Sequence, residues 1–146
     1  MKKNLLMVLM AIVSLSAFAI SQPGSRNQTF PLKGTFVSPT DQHIQYMGRI
    51  SFTNLERPAF NYPGVQIIAA FEGTSLKMLA KPLSGYFMAQ IDGAEPFKVS
   101  FRGERDSVVT LATALPYGSH TVRLMYIIEG YEYYPEFWGF LLDKGD

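Results

Sequence analysis

Cysteine is absent from the 146 residues of the chain. Disulfide bonds, zinc sites built on thiolates and lipid attachment to an N-terminal cysteine are therefore excluded. Net charge is almost absent as well, because 13 Lys and Arg oppose 12 Asp and Glu. Two of the cations, Lys2 and Lys3, lie in an N-terminal segment that has the features of a signal peptide, so the rest of the chain is close to neutral. A nearly neutral domain lacks the positive charge that nucleic acid binding requires, so we expect no nucleic acid partner.

Long apolar runs are confined to the N-terminus. Lys2 and Lys3 precede an apolar run from Leu5 to Ile20, which ends in small residues at Ala17-Phe18-Ala19. This is the pattern of a cleaved secretory signal peptide, and the run is shorter than the roughly 20 apolar residues that span a bilayer. The sequence thus predicts a signal peptide over residues 1–19, a secreted or periplasmic mature protein, and no membrane association after cleavage.

Helical periodicity is missing after the signal peptide, where no stretch repeats apolar residues at helical spacing over several turns. Residues 20–40 are rich in Pro, Gly, Ser and Thr, which predicts a leader loop with a short strand. From residue 41 to 146, apolar and polar residues alternate instead, as is typical of half-buried β-strands. The alternating segments are 44–52, Val65–Phe71, Leu76–Ala80, Tyr86–Ile91, Phe97–Phe101, Val108–Ala112, Thr121–Ile128 and Phe137–Leu142.

Dipeptides that contain glycine separate these segments and supply the backbone geometry of tight turns. Asp92-Gly93, which lies between two alternating segments, is the clearest hairpin signal. About eight or nine short strands joined by such turns close naturally as two facing sheets. We therefore predict one all-β domain over residues 41–146, an antiparallel, jelly-roll-like β-sandwich.

A recognisable catalytic set is missing. His43 and His120 are the only histidines, and no Gly-x-Ser-x-Gly motif marks a nucleophile. Most acidic residues lie at predicted turns, where carboxylates serve solubility and turn geometry. Two widely separated histidines and scattered acids do not have the spacing of metal ligands. The sequence therefore predicts no catalytic residues, no metal site and no cofactor.

An aromatic cluster is the strongest local anomaly, because residues 131–138 contain five aromatic side chains, one of which is the only Trp of the chain. One interpretation is a carbohydrate-binding surface, since aromatic faces stack on sugar rings and nearby carboxylates accept hydrogen bonds from hydroxyl groups. The alternative is that Phe137 and Trp138 lie at the core and rim of the last strand, while the tyrosines cover a loop or an interface. The residues of the carbohydrate-binding interpretation are Tyr131, Tyr133, Tyr134 and Trp138.

Several motifs follow one another in an order that points to a known family. They are Tyr46-Met47-Gly48-Arg49, Phe71-Glu72-Gly73-Thr74, Ile91-Asp92-Gly93, Leu115-Pro116-Tyr117-Gly118-Ser119-His120-Thr121-Val122, and Phe137-Trp138-Gly139-Phe140-Leu141-Leu142-Asp143. Together they resemble the N-terminal jelly-roll domain of carbohydrate esterase family 2, the bacterial acetyl esterases that act on xylan and related polysaccharides. The resemblance runs from near Tyr46 to Asp143.

This resemblance implies a function by association. In that family the jelly roll is followed by a catalytic domain of the SGNH hydrolase type, which carries the serine nucleophile and its histidine. The present sequence ends at Lys144-Gly145-Asp146, so none of those catalytic residues can be assigned to it. We expect a noncatalytic accessory module of a secreted carbohydrate acetyl esterase, here without its catalytic domain, with a plant polysaccharide such as xylan and an SGNH-type esterase domain as partners. The alternatives are a free-standing carbohydrate-binding module that uses residues 131–138, and a structural or interaction domain.

Overall fold

The computed structural model of the chain describes residues 33–129 and 132–143. The predicted signal peptide over residues 1–19 and most of the predicted leader lie outside the described residues. Within them, no helix has the length and hydropathy needed to cross a membrane. The strands are β1 (Thr35–Val37), β2 (Ile44–Met47), β3 (Gln66–Gly73), β4 (Leu76–Ala80), β5 (Gly85–Ile91), β6 (Phe97–Phe101), β7 (Val108–Ala112), β8 (Gly118–Tyr126) and β9 (Phe137–Leu142).

The strands form two antiparallel sheets that face each other. One sheet has the order β1-β9-β4-β7, and the other has the order β2-β3-β8-β5-β6. Apart from β2, which is added at an edge, this is the strand order of a jelly roll. The short strand expected in the leader is β1, which pairs with β9. The all-β sandwich predicted from the sequence is therefore confirmed.

Alternation along the strands decides which side chains enter the core between the sheets. On β5, Phe87 is buried whereas its neighbour Met88 is half-buried and faces away from the core. The Phe87 ring packs against Phe60, Phe101 and Tyr126, with ring centroids 5.3–6.0 Å apart. Aromatic rings in these tilted and edge-to-face arrangements add favourable energy to the area that they bury. This aromatic group is part of the hydrophobic core.

Strand β2 is shorter than the alternation over residues 44–52 predicts. It pairs with β3 only from Ile44 to Met47, because Gly48 takes a φ of +104° and directs the chain out of the sheet. The chain then makes a single bridge between Ser51 and Ala59. An alternating pattern records which side chains share a face, but it does not reveal a residue with positive φ inside the run.

The turn between β5 and β6 has the geometry that its sequence predicts. Asp92 and Gly93 have φ values of +50° and +72°, and the Ala94 N–H donates to the Ile91 carbonyl over 2.9 Å. Positive φ at both central residues defines a type I′ turn, whose twist suits a β-hairpin. β5 and β6 pair from Gly85↔Phe101 to Ala89↔Phe97, so the turn lies within a longer loop between the paired residues. The hairpin predicted at Asp92-Gly93 is confirmed.

A histidine on β8 connects this turn to the loop before β8. His120 is only 8% exposed. Its Nδ1 lies 2.6 Å from Oδ2 of Asp92, and its Nε2 lies 2.7 Å from the carbonyl oxygen of Pro116. A carboxylate and a carbonyl can only accept hydrogen bonds, so both contacts are hydrogen bonds at the same time only when the ring is an imidazolium. We call Asp92, Pro116 and His120 the His120 clamp.

The clamp shifts the pKa of both titrating partners. The hydrogen bond to Asp92, followed by that to Pro116, raises the pKa of His120 above its ordinary value of 6.5. The Asp92 carboxylate also accepts from the Thr121 N–H over 2.8 Å. This bond, followed by the bond from His120, lowers the pKa of Asp92 below 3.8. The clamp is therefore fully formed only while His120 is charged and Asp92 is ionised.

The assignment of faces on β5 is tested by comparing Phe87→Ala with Met88→Ala. Loss of the buried ring should lower the free energy of unfolding by about 3–5 kcal/mol, because the surrounding core cannot fill the cavity. Loss of the outward Met88 side chain should cost less than about 1 kcal/mol. Urea unfolding followed by tyrosine and tryptophan fluorescence measures both changes, and equal losses would show that the faces are wrongly assigned.

The His120 clamp predicts a dependence of stability on pH. Because the pKa of His120 is raised in the folded state, its stabilisation is complete below pH 6.5 and is lost as the pH rises through the folded pKa. The Asp92 contribution is present above pH 3.8 and is lost as the pH falls through its lowered pKa. Unfolding free energies of wild type and His120→Gln, measured between about pH 5 and about pH 9, should converge on the alkaline side.

The matched control for the clamp is His43→Gln, which changes a histidine whose side chain is 64% exposed. This variant should keep the alkaline loss of stability that wild type shows. If the unfolding free energies of wild type and His120→Gln differ by the same amount at every pH in this range, the predicted contribution of the His120 clamp is wrong.

Candidate functional site

The described members of the aromatic group predicted to bind sugar have different neighbours. The Tyr133 hydroxyl accepts a hydrogen bond from Nε of Arg102 over 3.1 Å, which places Tyr133 beside the five-stranded sheet. Tyr134 is 67% exposed and borders a groove on another side of the segment. Trp138 is half-buried on β9, and Tyr131 lies outside the described residues. The structure thus separates Tyr133 from Tyr134 and Trp138.

The groove beside Tyr134 lies between the loop 51–61 and residues 134–136. It consists of two adjoining depressions of about 260 Å³ each, which share Ser51, Ala59 and Glu136 in their walls. Backbone bridges from Ala59 to Ser51 and to Glu136 hold the loop in this place. We call it the loop groove. Its other lining residues are Thr53, Asn54, Arg57, Phe60, Asn61, Tyr134 and Pro135.

Trp138 contacts the loop groove through two of its lining residues. The Cζ atom of Arg57 lies 5.0 Å from the Trp138 ring centre, within the range of a cation–π interaction. The Trp138 Nε1–H donates to Oε2 of Glu136 over 2.9 Å. One face of the ring is thus covered by a guanidinium group. A sugar ring would have to displace Arg57 or use the rest of the indole surface.

Glu136 serves this arrangement as a hydrogen-bond acceptor. One carboxylate oxygen accepts from Trp138, and the other lies 3.5 Å from Nζ of Lys81. A general acid or base needs an oxygen that can reach the substrate, but both oxygens of Glu136 already have partners. The loop groove can therefore offer hydroxyl, amide and guanidinium groups to a polar ligand, while its carboxylate holds Trp138 and Lys81 in place.

Sequence analysis missed the contribution of the loop 51–61 to this groove. Its first two residues, Ser51 and Phe52, fall within the alternating segment 44–52, and the residues that follow carry no motif. The available signal was the break in alternation after Phe52, where four of the five residues from Thr53 to Arg57 are polar, because loops on a rigid scaffold commonly carry binding residues.

The two histidines do not form a nucleophilic pair with serine. Nδ1 of His43 lies 2.8 Å from Oδ1 of Asp41, and His120 is held in the His120 clamp. Within the described residues, the partners of the two rings are Asp41, Asp92 and Pro116, with no serine hydroxyl among them. Activation of a serine needs a histidine within hydrogen-bond reach of its hydroxyl. This geometry does not support acyl transfer.

A larger cavity of about 420 Å³ opens between the sheets next to Asp41 and His43. Its deeper walls are apolar and include Phe71, Leu76 and Phe140. The backbone N–H of His43, followed by its ring, lowers the pKa of Asp41 and so keeps that carboxylate ionised at the cavity mouth. The cavity suits a small apolar group, but nothing in the sequence patterns indicated it.

Metal binding finds no support in the described ranges. There, no three His, Asp or Glu side chains come close enough together to hold an ion. The acidic residues lie apart at turns and strand ends, as their positions in the sequence suggest.

Comparison with known proteins identifies relatives of this fold. Residues 46–146 match the family described as carbohydrate esterase 2 N-terminal. The structure of a family two carbohydrate esterase from Cellvibrio japonicus is 21% identical, with a TM-score of 0.67 over 75% of this chain and 33% of that chain. A family two carbohydrate esterase from Clostridium thermocellum, solved in complex with cellohexaose, is 30% identical, with a TM-score of 0.56 over 66% of this chain and 30% of that chain.

An acetyl xylan esterase from the rumen bacterium Butyrivibrio proteoclasticus is 13% identical, with a TM-score of 0.59 over 77% of this chain and 32% of that chain. No curated protein matches the chain. The chain therefore spans about a third of the length of these solved esterases. At 21% and 13% identity, two of the three similarities show the fold alone. The family match, over residues 46–146, covers the second half of β2 and all of the strands from β3 to β9, and on this basis the chain belongs to the family of carbohydrate esterase 2 N-terminal domains.

Proposed function

We propose that this chain is the noncatalytic accessory β-sandwich module of an exported carbohydrate acetyl esterase that acts on a plant polysaccharide such as xylan. The observation that carries the proposal is the family match over residues 46–146, together with esterase structures of which the chain spans only about a third. In this proposal the remaining part of such an esterase carries the catalytic chemistry, and the sandwich supports it.

The positions of the histidines support a noncatalytic role. His120 is buried, and both of its ring nitrogens face hydrogen-bond acceptors, so neither nitrogen is left to accept the proton of a serine hydroxyl. His43 bonds to Asp41 two residues away, an arrangement that is common in polar turns. Both carboxylate–histidine pairs therefore have a structural explanation.

The end of β9 is suited to hold a neighbouring domain in a fixed direction. The Asp143 N–H donates to Oγ of Ser75 over 3.1 Å, and Nζ of Lys77 donates to a carboxylate oxygen of Asp143 over 3.1 Å. These bonds attach the chain to β4 directly after Leu142. In a longer esterase, a segment that follows would leave the sandwich from a fixed point, as an accessory module requires.

Acetyl release tests the proposal. The chain alone, incubated with acetylated xylan or a chromogenic acetate ester, should release no acetate above the buffer background, because no described histidine can activate a serine. The esterase from Cellvibrio japonicus serves as the positive control. Robust turnover that a serine-directed inhibitor abolishes would overturn the noncatalytic assignment.

A second candidate function is carbohydrate binding through Tyr131, Tyr133, Tyr134 and Trp138. The observation that favours it is the exposure of Tyr134 beside the polar loop groove. Stacking of a sugar on such a ring contributes binding energy and orientation. The third candidate, a structural or interaction domain, requires no sugar at this surface and a stable complex with a partner domain.

Affinity electrophoresis in gels that contain soluble xylan or cellulose derivatives separates these candidates. If the groove binds sugar, Tyr134→Ala and Trp138→Ala should each reduce retention by about tenfold, because loss of an aromatic anchor removes its buried area. Tyr117→Ala is the matched control, since Tyr117 is 68% exposed but does not line the loop groove. Unchanged retention of the two groove variants would exclude this surface as the sugar site.

A further inference from the structure

The outer face of the five-stranded sheet carries a group of cationic side chains. Lys98 and Arg102 are exposed, whereas Val99 and Phe101 between them are buried, so both cations point away from the core. Arg123 is exposed on β8, two strands away. Tyrosine side chains contact the first two cations. We call this group, formed by Tyr86, Lys98, Arg102, Arg123 and Tyr133, the cationic face.

Two of these cations meet at one tyrosine ring. Nζ of Lys98 lies 3.8 Å from the centre of the Tyr86 ring, and Cζ of Arg102 lies 5.5 Å from the same centre. Both distances allow a cation–π interaction. Lys98 and Arg102 are four positions apart along the chain, and both approach the side chain of Tyr86.

The orientation of the Arg102 guanidinium is fixed by two tyrosine hydroxyls. Nη1 donates to Tyr86 over 2.9 Å, and Nε donates to Tyr133 over 3.1 Å. A guanidinium has five N–H donors in one plane. Two bonds to the tyrosines leave three donors in a fixed direction, which is the arrangement that a planar, bidentate acceptor requires.

No acidic side chain compensates these charges within the described ranges. The ion pairs there involve Lys77 and Lys81 but not Lys98, Arg102 or Arg123. The chain as a whole carries a formal charge of only +1, but among the described residues no acidic side chain lies within ion-pair distance of the three cations of this face. The near-neutral total, which argues against polyanion binding, does not describe the local potential.

We propose that the cationic face binds the carboxylate groups of an acidic polysaccharide, one that carries uronic acid units. A carboxylate can accept two parallel hydrogen bonds from Arg102 and a charge-assisted bond from Lys98. The outward Gln90 and Ser100 add polar groups for sugar hydroxyls. The choice of a sugar polymer rests on the proposed function, whereas the choice of its charge rests on these contacts alone.

Affinity electrophoresis with polygalacturonate, in which each sugar unit carries a carboxylate, tests the inference. Wild type should be retarded by this polymer and not by the same polymer after its carboxyl groups have been reduced to alcohols. Added salt should weaken the retardation. Lys98→Gln and Arg102→Gln should each weaken binding by about tenfold, as expected for the loss of a hydrogen bond to a charged group.

Lys77→Gln is the matched control, because it removes the same charge from the other sheet and should leave the retardation unchanged. Tyr133→Phe keeps the ring and removes one acceptor of Arg102, so it should weaken binding less than Arg102→Gln does. Thermal unfolding of each variant establishes that it is folded. The inference is overturned if wild type is not retarded, if Lys98→Gln and Arg102→Gln behave as wild type does, or if double-stranded DNA and anionic vesicles bind as well as polygalacturonate.

These outcomes are separate from those of the acetyl-release assay. If the wild-type chain neither binds polygalacturonate nor releases acetate, the cationic face is refuted as a binding site and the proposed function is unaffected. Acetyl release by the chain alone would overturn the proposed function and leave the contacts of the cationic face unchanged.

Discussion

The position of the last strand, β9, between β1 and β4 determines much of what the protein presents to solvent. Phe140 pairs with Val37 of β1 on one side and with Met78 of β4 on the other, so both neighbouring strands fix the register of β9. The register with β4 shifts between Leu79 and Ala80, which leaves Trp138 without a partner on β4; Trp138 is half-buried, whereas Phe137 and Phe140 on either side of this irregularity are buried. The residues before Phe137 must then pass along the loop 51–61. The loop groove is therefore a consequence of closing the sandwich.

The short segment that leads into β9 contributes to two different surfaces. Tyr133 reaches Arg102 at the five-stranded sheet, whereas Tyr134 borders the loop groove. Neighbouring residues of an extended segment point to opposite sides. A dense run of aromatic residues thus need not form one flat surface, and in this protein it supplies two surfaces whose chemistry differs. One has a carboxylate that is already occupied, and the other has cations without acidic partners.

The sequence was sufficient for the fold because its main signals are local. Alternation placed β4, β6, β7 and β9 at their observed bounds, and Asp92-Gly93 predicted its turn, since each depends only on neighbouring residues. The contacts that shape the candidate sites depend on pairing between distant strands. Nothing in the order of residues shows that Arg102 meets Tyr133, or that Arg57 covers Trp138. For the same reason, the total charge could not show where the cations gather.

Catalysis and stability make opposite demands on a histidine that bonds to a carboxylate. A general base must present an unprotonated nitrogen to the nucleophile, while the second nitrogen of His120 donates to Pro116. The stronger the bond to Asp92 becomes, the more firmly the ring keeps its proton. A pair that stabilises a turn in this way is thereby removed from acyl-transfer chemistry. A carboxylate–histidine unit of the kind that activates serine in hydrolases therefore serves here to join the β5–β6 turn to β8 and to the loop before it.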